Sequence, residues 1–155
     1  MSEADGNLSQ KKVFVEDFGV MFESMSLPRM AGRILGWLLV CVPPYQSADQ
    51  IATALDASKG MVSTMTRFLI QLGFIEKLTF PGDRRDYFRM KQNLWEHLMN
   101  SRISELTRMR AIAERGLSLM EENEEVRRRL YEMRDIYVFF EREFPEMMSR
   151  YHTGR

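Results

Sequence analysis

The chain has one cysteine, two histidines and no surplus of charge, with 22 basic residues against 22 acidic ones. A single thiol, Cys41, excludes an internal disulfide and suits a reducing compartment. It ends an apolar run with no basic neighbour to lower its pKa, so it reads as a buried, inert thiol rather than a redox switch. His97 and His152 stand far apart. There is no His-x-x-x-His pair, no cysteine cluster and no glycine-rich phosphate loop. These absences leave nothing to build a metal centre, a nucleophilic enzyme or a cofactor site from, and none is expected. The acidic stretch Glu121 to Glu125 lacks the alternating oxygen ligands and the glycine of a calcium loop, and reads as a helix boundary. No apolar run is long enough to span a bilayer; the longest, Ile34 to Val42, has the length of a core helix. The N-terminus places acids before lysines and has no apolar signal core, so a cytoplasmic protein without a membrane partner is expected.

Apolar residues make up 45% of the 155 positions, enough for a real core. Residues 1–10 are small and polar, without periodicity, and are expected to be disordered. Residues 11–45 carry two helices for core support and dimerisation. In the first, Phe14, Phe18, Met21, Phe22 and Met25 recur at three- and four-residue steps on one face. Pro28 suits the first turn of the second, and Pro43-Pro44 ends it. Its Gly32 and Gly36, four apart, would let another backbone approach closely.

Residues 46–91 run helix, tight turn, helix, hairpin. Ser47 caps a short helix with Ile51, Ala52 and Leu55 inward. Asp56-Ala57 is the turn. Ser58 caps a second helix through Leu72, with Val62, Met65, Leu69 and Leu72 inward and Gly73 at its C-terminal stop. "FIEKLTF" and "YFRM" read as strands around Pro81-Gly82. Residues 92–150 are helical, with Asn123 starting the last helix. There Val126, Leu130, Met133, Tyr137, Phe140, Phe144 and Met147 step by alternating fours and threes, a heptad seam that Pro145 would end or kink. Residues 151–155 read as a frayed tail.

The expected fold is mainly α with a small β-hairpin wing: a winged helix-turn-helix core plus N- and C-terminal dimerisation helices. The charge distribution fits a DNA-reading surface. Between Thr53 and Lys91 stand Lys59, Arg67, Lys77, Arg84, Arg85, Arg89 and Lys91, opposed only by Asp56, Glu76, Asp83 and Asp86. A helix fits the major groove, and a hairpin can reach the minor groove, where narrow segments attract arginine. The candidate reader is the helix from Ser58, presenting Lys59, Gly60, Ser63, Thr64 and Arg67, with Ser47 and Ser58 at the two helix starts as further candidate DNA contacts. Its N-terminal amides face a phosphate. The candidate wing contacts are Arg84 and Arg85, with Asp83 holding an arginine in place. Alone, each piece has a plain structural alternative: a charged surface hairpin or a packed helix.

The stretch "LPRMAGRILGWLLVCVPPYQSADQIATALDASKGMVSTMTRFLIQLGFIEKLTFPGDRRDYFRM", Leu27 to Met90, resembles the MarR superfamily of bacterial transcriptional regulators, and its GbsR branch through "FGVMFESMSLPRMAGRILGWLL". The resemblance implies a homodimer on a pseudo-palindromic operator in double-stranded DNA. It would repress neighbouring genes and release DNA when a small molecule binds. It also implies DNA contacts from a wing Asp-x-Arg, matched by Asp83 and Arg85. Phe14, Phe18, Phe22, Leu130, Met133, Tyr137, Phe140 and Phe144 are the expected dimer contacts, because their apolar faces need partners. Some GbsR-type members respond to choline or glycine betaine. That implies a quaternary ammonium effector, for which Trp37, Trp95 and Tyr137 are candidate cation–π partners; aromatics at heptad spacing serve equally as core. Winged helices also dock proteins, so a protein-interaction module without specific DNA binding is the alternative.

Overall fold

A computed structural model describes residues 3–120 and 123–154, with side chains from Leu8 onward. The chain forms two compact units, Met1–Leu94 and Trp95–Arg155.

The first unit is built from α1 (Glu3–Ser24), α2 (Arg29–Val40), β1 (Gln46–Ser47), α3 (Ala48–Leu55), α4 (Lys59–Gln71), β2 (Ile75–Leu78) and β3 (Tyr87–Met90). The three strands form an antiparallel sheet in the order β1-β3-β2. Ile75 faces Met90 and Leu78 faces Tyr87, while Ser47 pairs with Tyr87 from the other side. Two-residue β1 carries no period-2 signal, so only the sheet reveals it. The core gathers Ile34, Leu35 and Leu38 of α2, Ile51 and Leu55 of α3, Val62 and Leu69 of α4, and Ile75 of β2. The expected helix–turn–helix–hairpin order is therefore present. Gly73 takes φ 75° after α4, a conformation that disfavours any side chain.

Several expectations need correction. The segment expected to be disordered is helical from Glu3, and Met1 and Ser2 lie outside the described residues. A packed helix extends outward at little cost, because propagation fixes one residue for each new bond. The inner face of α1 is not the full aromatic stripe: Val15 and Phe22 are buried, whereas Met21 and Met25 are exposed. At α4 the predicted inward Leu72 is 40% exposed and Thr66 is buried in its place. Leu72 is the C-cap residue, where the buried stripe has already ended. The Thr66 hydroxyl donates to the Val62 carbonyl at 2.8 Å, which satisfies its polar atom inside the core.

Gly32 and Gly36 do allow a close approach. A Cβ on Gly32 would stand 2.4 Å from the Phe18 carbonyl oxygen, and one on Gly36 3.0 Å from the Phe18 Cβ. Helices α1 and α2 are also joined by charge. Glu16 accepts from Arg29 at 3.0 Å and from Arg33 Nε at 2.6 Å, while Arg33 also donates to the Leu55 carbonyl at 3.1 Å. Burial pushes the Glu16 carboxyl upward, but the hydrogen bonds and charges of Arg29 and Arg33 outweigh it and hold the pKa below the usual value.

The second unit pairs α5 (Leu94–Leu119) with α6 (Glu124–Thr153). Leu130 lies over Gly116, Glu141 accepts from Thr107 at 2.7 Å and Arg110 at 2.6 Å, and His152 meets Glu96 at 3.2 Å. The contacts run in opposite directions along the two helices, so this is an antiparallel helical hairpin. Asn123 caps α6 by accepting from the Val126 amide at 3.0 Å. Two expectations fail here. Pro145 does not end α6, and residues 151–153 are helical rather than a frayed tail; the helix continues to Thr153, and Arg155 lies outside the described residues. The turns on both sides of Pro145 are tied to α5 through Glu141 and His152, which offsets the missing amide.

The Glu141 carboxyl is held below its usual range, first by the Thr107 hydroxyl and then by Arg110. A depressed folded pKa means that its stabilising contribution is complete above the ordinary glutamate range and is lost as pH falls through the folded value. Thermal melts across pH 3–6 are expected to show less acid sensitivity in Glu141→Gln than in the parent. Parallel acid limbs would remove Glu141 from that account.

Candidate nucleic-acid interface

The reader helix is set by its caps. Ser47 and Gln50 form a reciprocal capping box on α3: Ser47 Oγ accepts from the Gln50 amide at 3.3 Å and Gln50 Oε1 from the Ser47 amide at 2.8 Å. Ser47 is buried, so its hydroxyl belongs to the cap. Asp56 takes a left-handed φ of 50° to turn the chain, and Ser58 Oγ accepts from the Met61 amide at 3.2 Å to start α4. Removing this cap by Ser58→Ala is expected to cost about 1 kcal/mol in urea unfolding. An unchanged midpoint would mean that water replaces the hydroxyl.

Lys59, Gly60, Ser63, Thr64 and Arg67 are all exposed on α4. A Cβ on Gly60 would meet nothing within 4 Å, so the helix surface is open there. Thr64 Oγ1 donates to the Gly60 carbonyl at 3.0 Å and Arg67 Nε to the Ser63 carbonyl at 3.3 Å, which lays both side chains along the helix. Met61 is exposed beside them, although apolar patterning gave no reason to place it on that surface.

The wing has a more defined geometry. Asp83 Oδ1 accepts from the Arg85 amide at 2.9 Å and from Arg85 Nε at 3.0 Å; Oδ2 accepts from Arg85 Nη2 at 2.7 Å and from the Tyr87 hydroxyl at 2.7 Å. The Arg85 side-chain bonds, then its amide and Tyr87, hold the Asp83 carboxyl far below the usual carboxylate range. The Arg85 guanidinium is correspondingly pushed upward, chiefly by its hydrogen bond to Asp83. Arg84, between them, is exposed and has no ion-pair partner among the described residues. Arg85, Ser47, Asp49 and Gln50 line a shallow concavity of about 370 Å³.

Ion pairs reduce the cationic surplus counted along the sequence. Lys59 meets Asp49 at 2.7 Å, Lys77 meets Asp86 at 2.8 Å, and Arg89 meets Glu76 at 2.6 Å. Among the described residues Arg67, Arg84 and Lys91 have no such partner. Only the fold could show this, since Lys59–Asp49 joins two helices.

The other predicted residues fall into different places. Phe22 is buried and meets the Phe74 ring edge-on at 6.1 Å, so it belongs to the core. Phe18 is half-buried against Gly36, and Phe14 is exposed. Leu130, Met133, Tyr137 and Phe144 are half-buried, and Phe140 is exposed. Phe140, Phe144, Leu106 and Met147 line an apolar groove of about 430 Å³ rimmed by Arg102 and Arg150. Trp37 lies in the first unit, beside a small pocket that also holds Lys12, Glu16 and Arg33. Trp95 is at the Glu96–His152 end of the hairpin, whereas Tyr137 lies between the levels of Leu130 and Glu141. The hairpin therefore does not bring those two aromatics together.

A family model described as MmpR5-like MarR family transcriptional regulator matches residues 93–154. The HTH-type transcriptional regulator MmpR5 of Mycobacterium tuberculosis (strain ATCC 25618 / H37Rv) is 47% identical over 139 residues, covering 89% of this chain and 84% of that protein. The chain belongs to the MarR family. It is a transcriptional regulator and not an enzyme. A crystal structure described as that of a transcriptional regulator is 45% identical, with a TM-score of 0.73, over 93% of this chain and 99% of that one. The model match falls on the α5–α6 hairpin, whereas the sequence resemblance to MarR proteins rested on Leu27 to Met90.

Proposed function

We propose that this MarR-family chain works in the cytoplasm as a homodimeric repressor of neighbouring genes, reading a pseudo-palindromic operator and releasing it when a small molecule binds. The observation that carries the DNA reading is the wing: Arg85 is aimed by a filled Asp83 carboxylate while Arg84 projects without a partner. With α4 in the major groove, Gly60, Ser63 and Thr64 lie at base edges or phosphates, Arg67 supplies charge, and the wing follows the backbone toward the minor groove. Lys59 can exchange Asp49 for a phosphate on contact.

Dimerisation is supported by exposed apolar side chains in each unit. Val13, Phe14, Val20 and Met21 lie on α1, and Phe139, Phe140 and Met147 on α6. A two-fold operator needs two readers. The effector reading rests on the small-molecule release that the resemblance implies. A quaternary ammonium ion would need Trp95 or Tyr137 to join aromatics from a second copy, since the hairpin keeps the two apart.

The test is fluorescence anisotropy on the DNA upstream of the gene, with scrambled DNA alongside and salt varied. Selective binding that weakens steeply with salt is the expected result. Equal, weak binding to both DNAs would overturn the operator reading and favour protein docking. Sedimentation of the free protein tests the dimer.

A further inference from the structure

Arg85 sits at the tip of a hairpin on a side chain with several rotatable bonds. Binding DNA with such a group costs less when it is already held in place. Asp83 holds it, but Asp83 is itself a turn residue. Its bonds to the Arg85 amide and guanidinium are local, and they fix the carboxylate only relative to the turn. The bond from the Tyr87 hydroxyl is different in kind. Tyr87 is the first residue of β3, flanked by Ser47 on one strand and Leu78 on the other, and it is only 8% exposed. Its ring meets Phe80 at 5.1 Å and Tyr45 at 5.8 Å, both edge-on. The Arg85 guanidinium lies over the same ring, 5.4 Å from its centre. Tyr87 thus touches both members of the pair from a fixed place in the sheet.

We propose that Tyr87 is a positioning residue for DNA binding: its hydroxyl ties the Asp83–Arg85 pair to the sheet and so sets the direction of Arg85. A carboxylate offers about four acceptor positions. The Arg85 amide, its Nε and Nη2, and the Tyr87 hydroxyl take them up. Without the hydroxyl, one position opens to water and the turn can swing with its arginine still paired. The turn at Asp83 and the bend at Arg85 bring both side chains to the Tyr87 hydroxyl and ring.

The inference rests on the DNA-binding reading, and the experiment separates the two. Tyr87→Phe keeps the ring and its stacking and removes only the hydroxyl. In the full chain, operator affinity by anisotropy is expected to fall about three- to tenfold, with the melting temperature nearly unchanged. The loss should vanish in an Arg85→Ala background and persist in an Arg84→Ala background. Equal affinity of Tyr87→Phe and parent, or the same loss with Arg85 already absent, would overturn the proposal. Asp83→Asn is the second variant, close in shape to the parent and outside the core should Tyr87→Phe not fold. It should lose a similar factor, with no further loss on adding Tyr87→Phe. NMR of the DNA-free protein gives an independent readout: the Arg85 Nε–H signal should exchange slowly in the parent and quickly in Tyr87→Phe. Slow exchange in both would sink the positioning role whatever the DNA result. Absence of DNA binding by the parent would sink the regulator reading and leave the NMR result to judge Tyr87.

Discussion

Arg85→Ala is expected to weaken operator binding by about tenfold to a hundredfold, the range for losing one well-placed charged contact of 1–3 kcal/mol. The expectation comes from geometry. Arg85 is held by side-chain bonds from its Nε and Nη2 to Asp83 and by a ring beneath it, so little freedom is lost when it meets DNA. Arg84 is one residue away with the same charge and no such support. It should act as a mobile counter-charge, and Arg84→Ala is expected to cost only a few-fold. Both substitutions should lower the slope of log affinity against log salt by about 1, since each removes one cation. They differ in what remains at high salt, where the directional part of the Arg85 contact survives screening. Anisotropy titrations at several salt concentrations measure both quantities. A larger loss for Arg84→Ala than for Arg85→Ala would reverse the wing assignment and make Asp83 a clamp that keeps Arg85 away from DNA.

Gly32→Ala is expected to destabilise the fold by about 3 kcal/mol, at the upper end of the range for overpacking. The added carbon would lie 2.4 Å from the Phe18 carbonyl oxygen and 2.8 Å from the Phe22 ring. The first of these is backbone and cannot swing aside, so α1 must move away from α2. That movement would loosen the contacts of Val15 and Phe22 and disturb the ion pairs of Glu16 with Arg29 and Arg33. A fall in melting temperature of roughly 10 °C follows for a chain of this size. Gly60→Ala provides the contrast. Nothing stands within 4 Å of its added carbon, and alanine is the better helix former. It should leave stability equal or slightly raised while reducing DNA affinity, because the open surface on the reader would be filled. Calorimetry and anisotropy on both variants separate the two effects. A Gly32→Ala protein as stable as the parent would mean that α1 is not tightly seated on α2.

Much of this was legible from the order of residues. Ser47, Ser58 and Asn123 accept from amides three residues on, and their side-chain chemistry with the following apolar stripe marks those helix starts. Pro81-Gly82 between aromatic flanks placed the wing, and the four-residue step between Gly32 and Gly36 signalled the close helix contact. These are local signals, read within one turn of helix or one hairpin. Where such signals conflicted with tertiary context, they misled. Pro145 speaks locally for a helix end, but contacts of Glu141 and His152 with α5 hold the turns on either side. The aromatic stripe of α1 suggested one buried face, yet only part of that face meets α2 and the core.

The sequence by itself determined the order of the helices and the two wing strands, the caps, the turn at the wing and the family, because each depends on residues within a few positions of one another or on a long shared pattern. The tertiary structure decided which charges remain available and which are spent. Lys59 meets Asp49 across two helices, and Arg89 meets Glu76 across two strands. It also pairs Arg85, rather than Arg84, with Asp83, whose carboxylate accepts from the Tyr87 hydroxyl of the sheet as well. A count along the chain treats equal charges alike; distance and a buried ring separate them.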